Sequence, residues 1–221
     1  MQKYLRRKIL LLLGLPKTLL FNFNYFPFLD ALRLPVYVSH RVWLMEMSGE
    51  VVVRGPLRRG MIELGFGEVG IFDQHRSRTV WQVSGRVEFG GPARIGHGTR
   101  LSVSGVLKLG EGLKITAESA IVASNSVSIG AGSLLSWDVL VMDTDFHDLY
   151  SGGELLNPPA PVHIGAGVWI GCRALVLKGS VLPDGTVVAA ASTVTREFTA
   201  PNTLIGGSPA GVLKENVSWR K

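Results

Sequence analysis

The sequence predicts a parallel β-helix, and three observations carry that prediction: a six-residue period, a longer repeat that contains it, and one interruption. Aliphatic residues recur at six-residue intervals near the C-terminus, at Ile164, Ile170, Val176, Leu182, Val188 and Val194. An amphipathic helix has a period of 3.6 and a strand a period of 2, so neither produces a strict six. One inward aliphatic residue per short strand, with bends between strands, is typical of a parallel β-helix.

The repeat continues upstream with a longer stride. Phe89-Gly90, Leu109-Gly110 and Ile129-Gly130 are spaced at intervals of twenty residues, and Val69-Gly70 fits one step earlier. Each step contains the same six-residue rhythm, so a coil has three sides with two extra residues at a bend. We expect a triangular coil with glycine or small residues at its bends, where a positive φ costs little. A β-sandwich of short strands is the alternative, and the strict register disfavours it.

The predicted organisation has three parts. Residues 1–45 form a basic, apolar segment with a short helix and an extended stretch, residues 46–206 form the β-helix, and residues 207–221 form a C-terminal tail. The register breaks after Val141 and resumes at Ile164, which predicts a protruding loop over about residues 142–161. A single cysteine, Cys172, excludes an internal disulfide and suits a reducing cytoplasm. Hydrophobic residues make up 46% of the chain, which is ample for a core.

Positive charge is concentrated at the N-terminal end. Seven basic residues and one acidic residue lie within residues 1–45, whereas the rest of the chain is balanced, and the total is +6. A basic end without basic and aromatic residues interleaved on the body does not suggest nucleic-acid binding. The apolar run from Ile9 to Leu15 is short for a signal peptide, and no small-residue cleavage site follows it. No uninterrupted apolar run reaches the length of a bilayer span.

Two interpretations of residues 1–20 stay open. They form a helix that packs on the β-helix, or a basic amphipathic segment that rests on an anionic membrane face, where each Lys or Arg contributes about 1 kcal/mol. In the following residues Phe21, Phe23 and Tyr25 alternate with asparagines. That alternation predicts an extended, half-buried stretch up to Pro27.

The interruption carries the candidate chemistry, because loops on a rigid scaffold commonly hold functional residues. His147 lies there, flanked by Asp143, Asp145 and Asp148. A histidine with an acidic partner can act as a general base for a hydroxyl nucleophile. A solvated loop histidine is the simpler alternative. The glycine and glutamate spacing of an EF-hand calcium loop is missing.

A zinc hydratase is a further possibility for a β-helix, with three histidines between subunits. The five histidines are His40, His75, His97, His147 and His163. Only His147 and His163 lie near the interruption, and His163 is expected to point outward from its strand. We therefore expect no metal.

The chain resembles the hexapeptide-repeat acyltransferases. The resemblance rests on TDFH, on PVHIGAGVWIGCRALVLKGSVLPDGTVVAAASTVTREF and on GGSPAGVLKE, and it covers residues 85–215. The nearest branch is the sugar and surface-polysaccharide O-acetyltransferases, and KTLLFNFNYFPF is similar to the start of capsular polysaccharide acetyltransferases. The resemblance implies a left-handed β-helix, acetyl-CoA as the acyl donor, and a homotrimer with active sites between neighbouring subunits.

The resemblance also implies roles for individual residues. His147 matches the catalytic general base, and Asp145 is the adjacent carboxylate we expect to assist it. Trp169 matches an aromatic residue at the edge of the acetyl and acceptor site; a surface tryptophan stabilising a coil edge is the alternative. The remaining matches are donor contacts: the Cys172 backbone N–H near the thioester carbonyl, Ala190 beside the pantetheine arm, and Thr195, Arg196 and Lys214 near the phosphates.

Two departures concern the acceptor and the phosphates. Many relatives carry Lys or Arg where Gly211 follows Ala210, and Asn125 stands one residue away from the position of an acceptor-binding Asn or Asp. The predicted function is O-acetylation of a sugar or surface-polysaccharide precursor. The expected location is the cytoplasm, with peripheral contact at the inner membrane face as an option. The alternatives are an N-acetyltransferase for a nucleotide-linked amino sugar, although no nucleotide-binding domain is visible, and a non-catalytic trimeric scaffold.

Overall fold

The chain forms a triangular prism of parallel strands whose first coil is covered by a long helix. A computed structural model describes residues 2–67, 69–73 and 76–220. The helices are α1 (Gln2–Tyr25) and α2 (Phe28–Ala31). The first twelve strands are β1 (Val36–Val38), β2 (Trp43–Glu46), β3 (Glu50–Val53), β4 (Ile62–Phe66), β5 (Val80–Val83), β6 (Arg86–Phe89), β7 (Ala93–Gly96), β8 (Arg100–Val103), β9 (Val106–Leu109), β10 (Lys114–Ile115), β11 (Ala120–Ala123) and β12 (Ser126–Ile129).

The remaining strands continue the same winding, except for one hairpin and a C-terminal pair. They are β13 (Leu134–Leu135), β14 (Leu140–Met142), β15 (Tyr150–Ser151), β16 (Glu154–Leu155), β17 (Val162–Ile164), β18 (Trp169–Ile170), β19 (Leu175–Val176), β20 (Val181–Leu182), β21 (Val187–Val188), β22 (Thr193–Val194), β23 (Leu204–Gly207) and β24 (Ala210–Lys214).

Three sheets form the sides of the prism, and successive strands of the chain join them in turn. Sheet A has the order β1-β4-β7-β10-β13-β18-β21-β23-β24, sheet B the order β2-β5-β8-β11-β14-β19-β22, and sheet C the order β20-β17-β12-β9-β6-β3. The strand pairs are parallel, apart from β15 with β16 and β23 with β24. The predicted parallel β-helix is therefore confirmed.

The periodic aliphatic residues fill the core. All of those predicted at six-residue intervals from Ile164 to Val194 are at least 97% buried. Residues two positions earlier, such as Ala174, Ser180 and Thr186, are fully buried as well. Small side chains at these positions let the coils close around a narrow interior without overpacking.

The bends show where each coil turns. Between sheets A and B, the left-handed backbone region is occupied in successive coils by Gly98, Glu118, Asp138, Arg173 and Ala191. Between sheets B and C, the bends instead carry Gly85 and Gly105, each stacked so closely on the next coil that an added Cβ would lie within 2.5 Å of a carbonyl oxygen. Glycine is needed there for close approach and not for its φ.

The register locates the predicted loop. Leu109 pairs with Ile129, Ile129 pairs with Ile164, and Ile164 pairs with Leu182. The coil that separates Ile129 from Ile164 therefore contains a long insertion, which leaves β14 at Met142 and rejoins at β17. It carries the short β15–β16 hairpin. The insertion thus occupies the chain between Met142 and Val162.

The first coils differ from the expected boundaries. The strands of the β-helix begin at Val36, earlier than residue 46. Val53, and not Val69, occupies the position that pairs with Phe89. The expectation for Val69 is wrong, because the chain between β4 and β5 makes another excursion that displaces the twenty-residue repeat.

Helix α1 extends through the stretch predicted to be extended, so that prediction is wrong. Phe21 and Tyr25 lie on one helical face with Thr18, and the Phe21 ring is fully buried against Trp81. The aromatic residues alternate in sequence, but burial of one helical face decides the local structure.

Polar side chains of α1 satisfy the free edge of β1. The Asn22 amide accepts from the Val36 N–H and donates to the Val36 carbonyl, and the Thr18 hydroxyl accepts from the Val38 N–H. Gly14 packs so closely that an added Cβ would lie 2.3 Å from the Val38 carbonyl oxygen. Helix α1 thus covers a sheet edge that would otherwise be open to pairing.

Candidate active site

The predicted site residues lie at two different bends of the prism. The loop corner joins sheets B and C and comprises residues 124–125, 143–161, 177–180 and 195–196. The tight corner joins sheets A and B and comprises residues 136–139, 171–174 and 189–192. His147, Asp145, Asn125, Thr195 and Arg196 belong to the loop corner. Cys172 and Ala190 belong to the tight corner, and Trp169 lies on β18 just before it.

The root of the loop is anchored by a buried carboxylate. Asp143 is fully buried, and its two carboxylate oxygens accept hydrogen bonds of 2.8 Å from the backbone N–H groups of Ser124 and Asn125. Two charge-assisted bonds to backbone donors offset the cost of burying this charge. Asn125 stands where earlier coils carry glycine, and its side chain is exposed beside the loop root.

Farther along the loop, Asp145 is held by a cation from the next coil. The Lys178 ammonium lies 2.7 Å from the Asp145 carboxylate, and the Asn157 amide donates to the same carboxylate at 2.9 Å. These contacts hold the pKa of Asp145 below its ordinary value, and the hydrogen bond from Lys178 is the largest cause. Asn157 also donates to the His147 carbonyl and accepts from the Leu149 N–H, so this one side chain fixes both sides of the loop.

His147 is exposed at the tip of this structure. It follows Phe146, whose φ of 63° turns the backbone sharply. Among the described residues, the His147 imidazole makes no hydrogen bond to Asp145, whose carboxylate is committed to Lys178 and Asn157. The structure therefore gives Asp145 a place in ordering the loop, and its expected partnership with the imidazole stays a prediction.

Trp169 is held in place although its ring is 37% exposed. Its indole N–H donates to the Ser136 hydroxyl at 3.1 Å. The Trp219 ring from the C-terminal tail lies beside it with 5.9 Å between centroids, and the Trp219 indole donates to the Gly167 carbonyl. Such a fixed aromatic pair presents a rigid apolar surface next to the tight corner.

Small residues line the tight corner. Gly171 lies directly below Ala190, and an added Cβ would come within 2.6 Å of the Ala190 N–H nitrogen. The Cys172 carbonyl accepts from the Ala191 N–H, so the two coils are bonded at this bend. Ala190 is exposed and Cys172 is half-buried. The bend thus forms a shallow strip of backbone with short side chains, on which an extended ligand can lie.

The remaining predicted residues are exposed near the C-terminal end. Thr195 and Arg196 leave β22 at the loop corner, and the Arg196 guanidinium lies 5.1 Å from the Phe198 ring centroid. Lys214 ends β24 at the outer edge of sheet A. These cations can meet an anionic ligand at the surface, but they stand on different sides of the prism.

One chain therefore does not assemble the predicted site. Sheet B separates His147 from Cys172 and Ala190 on one side of the prism, and sheets C and A separate them on the other. Four residues that the sequence analysis did not select also contribute: Asn157, Lys178, Ser136 and Trp219. Among these four, only Lys178 could have been suspected from the sequence. It is a charged residue two positions after the core residue Val176, in the coil that follows the loop.

The histidines do not form a metal centre in the described part of the chain. No group of three His, Cys, Asp or Glu residues among residues 2–67, 69–73 and 76–220 is placed to hold a metal ion. His163 is exposed on β17, as expected, with its Nδ1 2.8 Å from the Ser128 hydroxyl. His97 is buried beside Ser77, and His40 lies near Lys17 and Arg41. His75 lies outside the described residues.

Known structures share this fold. The polySia-specific acetyltransferase NeuO superposes with a TM-score of 0.56 at 17% identity, covering 85% of this chain and 79% of that one. A variant of AntD, an N-acyltransferase from Bacillus cereus in complex with dTDP and Coenzyme A, gives 0.51 at 16% identity, covering 75% and 83%. The class of structure is the left-handed parallel β-helix, as expected.

Two proteins of similar sequence are named as O-acetyl transferases. The chain is 29% identical over 153 residues to WbbJ of Escherichia coli, which is named for O-acetyl transfer in lipopolysaccharide biosynthesis; the match covers 62% of this chain and 78% of WbbJ. It is 33% identical over 98 residues to the galactoside O-acetyltransferase of Escherichia coli, covering 43% and 47%. No protein-family profile matches the chain. Both relatives are named as O-acetyl transferases, and the chain spans about half the length of the second one.

Proposed function

We propose that the protein is an acetyl-CoA-dependent O-acetyltransferase that modifies a hydroxyl of a sugar or surface-polysaccharide precursor. The observation that carries the proposal is the loop corner, where a buried carboxylate, an ion pair and Asn157 hold an exposed histidine at the interruption of the repeat. The names of WbbJ and of the galactoside O-acetyltransferase support this acceptor class.

The proposed reaction is a direct transfer within a ternary complex. His147 accepts the proton of the acceptor hydroxyl while that oxygen attacks the thioester carbonyl carbon. The backbone N–H of Cys172 stabilises the oxyanion that forms. When this intermediate collapses, the carbon–sulfur bond breaks, the ester remains on the sugar, and CoA leaves as a thiolate that takes up the proton. Ala190 gives the pantetheine arm a groove wall, and Thr195, Arg196 and Lys214 meet the phosphates. Trp169 and Asn125 border the acceptor.

These roles require two chains for each site. His147 and the tight corner lie at opposite ends of the strands of sheet B. The loop corner of one copy must therefore face the tight corner of a neighbour. A heterologous contact of this kind closes into a ring when it is repeated by rotation. A triangular cross-section suits three copies, and we propose a homotrimer with three equivalent sites. Acetyl-CoA as the donor suggests a cytoplasmic enzyme.

Release of free CoA thiol from acetyl-CoA tests the proposal. We expect release to depend on added acceptor glycan and to fall about a hundredfold or more in His147→Ala, because general base catalysis contributes on this scale. His163→Ala is the matched control, since His163 is also exposed but hydrogen-bonds to Ser128 on sheet C. Full turnover in His147→Ala would refute the general-base assignment.

N-acylation of a nucleotide-linked amino sugar is the second candidate. The overlap in fold with AntD motivates it. Offering an amino sugar and its hydroxyl counterpart to the same enzyme separates the two reactions, and amide formation in preference to ester formation would favour N-acylation. A stable oligomer without turnover on either acceptor would instead favour the non-catalytic scaffold.

A further inference from the structure

The N-terminal helices present an apolar face directed away from the β-helix. At 3.6 residues per turn, the exposed apolar side chains of α1 lie opposite the buried Gly14 and Phe21. These exposed side chains are Leu5, Ile9, Leu12, Leu13, Leu15, Leu19, Leu20 and Phe23. Leu12 is 70% exposed although it lies in the middle of the helix. We call these residues, together with those of α2 given next, the outer apolar face.

Helix α2 extends the same surface. Phe28, Leu29 and Leu32 are exposed, Leu29 by 73%. The rings of Phe23 and Phe28 are 5.7 Å apart, which joins the two helices into one patch. Monomeric soluble proteins rarely expose a contiguous apolar patch of many large side chains, so this patch indicates an interaction surface.

Cations border the outer apolar face along both margins. On one side Lys8 and Arg59 line a groove of about 310 Å³ together with Leu12 and Leu15. On the other side Arg6 and Arg7 line a groove of about 440 Å³ with Arg94 and Lys114. Glu63 in this second groove accepts from Arg7, and it is the acidic residue among those that line either groove.

We propose that the outer apolar face binds an anionic lipid bilayer. An amphipathic helix with apolar residues on one face and Lys or Arg along its margins lies in the interface plane, with its apolar face among the acyl chains and its cations at the headgroups. None of the helices in residues 2–67, 69–73 and 76–220 has the length and hydropathy to cross a bilayer.

A second copy of the chain fits this face less well. Two outer apolar faces brought together would also bring together the cations on their margins, whereas anionic lipid neutralises them. The face also lies beyond the first coil, because α1 hydrogen-bonds to the open edge of β1. It is therefore separate from the loop and tight corners, and the inference stands whether or not the proposed chemistry is correct.

Sedimentation with lipid vesicles tests the inference. We expect the full chain to bind phosphatidylcholine vesicles that contain about 30% phosphatidylglycerol, more weakly as salt rises, and to bind pure phosphatidylcholine at least about tenfold more weakly. The double variant Leu12→Glu, Leu20→Glu should lose at least about tenfold in affinity. Both side chains are exposed in the structure, so the variant should fold, and circular dichroism can verify this.

The matched control carries the same charge change elsewhere. Ile71→Glu with Leu213→Glu alters two equally exposed apolar residues outside the outer apolar face and should bind vesicles as the unaltered chain does. Equal binding by the Leu12, Leu20 variant would overturn the inference. Absence of vesicle binding by the full chain, or a smaller assembly in the Leu12, Leu20 variant without loss of lipid binding, would overturn it as well.

Discussion

The loop corner and the tight corner are built from the same coil repeat, but they hold their residues in different ways. At the tight corner the chain turns within four residues, and neighbouring coils are bonded through backbone groups such as the Cys172 carbonyl and the Ala191 N–H. At the loop corner, side-chain hydrogen bonds and an ion pair hold the chain in place, and they are made by Asp143, Asp145, Lys178 and Asn157. The comparison shows how a regular scaffold can accept a long insertion at one bend without shifting the strands above it.

The same comparison separates two kinds of function. A bend made of backbone and alanine can present fixed N–H groups and a smooth wall, which suits recognition of an extended ligand. A loop held by ion pairs and amide contacts can project a titratable side chain away from the prism, which suits proton transfer. If the proposed function is correct, each site takes one corner from each of two copies.

The largest expected effect is the recovery of activity when two inactive variants assemble together. We expect Ala190→Trp to block the donor groove and His147→Ala to remove the base, so that each homo-oligomer has about a hundredth of normal activity or less. Co-expressed in equal amounts, the two chains should recover roughly a quarter of normal activity, because random assembly pairs an intact loop corner with an intact tight corner at that frequency.

Turnover is measured on the whole co-expressed mixture, and a different tag on each chain verifies that the two chains are present in equal amounts. The control is a mixture of either variant with itself carrying both tags, which should stay inactive. Full activity of Ala190→Trp alone, or no recovery in mixtures that contain both chains, would contradict a site shared between the corners.

A smaller effect is expected from the ion pair of the loop corner. Lys178→Met removes the cation beside Asp145, so we expect kcat to fall about tenfold through loss of loop positioning while the KM for acetyl-CoA is retained. Arg33→Met is the control, because Arg33 forms an exposed ion pair of 3.0 Å with Asp30 outside both corners. Pairs of that kind contribute little.

The pH dependence of Asp145 adds a second measurement to the same variant. Its folded pKa lies below the ordinary value of 3.8, so the pair stabilises the loop above that pH and the stabilisation is lost as pH falls through the lowered pKa. In Lys178→Met the carboxyl pKa, followed by NMR, should rise toward its ordinary value. An unchanged pKa and an unchanged kcat would show that the ion pair does not order the loop.

The smallest expected effect contrasts the packing of the corners. Gly171→Ala should destabilise the fold by about 1–2 kcal/mol, because its Cβ would press on the backbone of Ala190 and Val188 in the next coil. Leu149→Ala, at an exposed position of the loop corner, should change the free energy of unfolding by less than about 0.5 kcal/mol. Urea unfolding measures both, and equal effects would mean that the corners are packed alike.

Much of the prism could be predicted because its core repeats locally. Each coil needs an inward aliphatic residue at fixed spacing. The periodic aliphatic residues from Ile164 to Val194 therefore predict the strands, their stacking and the end of the loop. The first coil could not be read in the same way. Val69 matches the repeat by coincidence of spacing, and the pairing of Val53 with Phe89 depends on a contact across an irregular excursion.

The helix α1 shows why local alternation can mislead. Phe21, Phe23 and Tyr25 alternate as in a strand. The Asn22 side chain nevertheless bonds to both the N–H and the carbonyl of Val36, and burial of Phe21 against Trp81 outweighs the local pattern. Whether residues 1–20 also contact a membrane stays a prediction, since packing of α1 on the β-helix uses only one of its faces.

The sequence by itself determined the β-helix, the position of its interruption and the candidate histidine, because period and spacing are properties of the chain. Only the tertiary structure decided which residues share a corner, because strands many residues apart become neighbours by winding around the prism. Lys178 reaches Asp145, Trp219 reaches Trp169, and His147 is kept apart from Ala190 for that reason. Those long-range contacts leave no local periodicity in the sequence to be recognised.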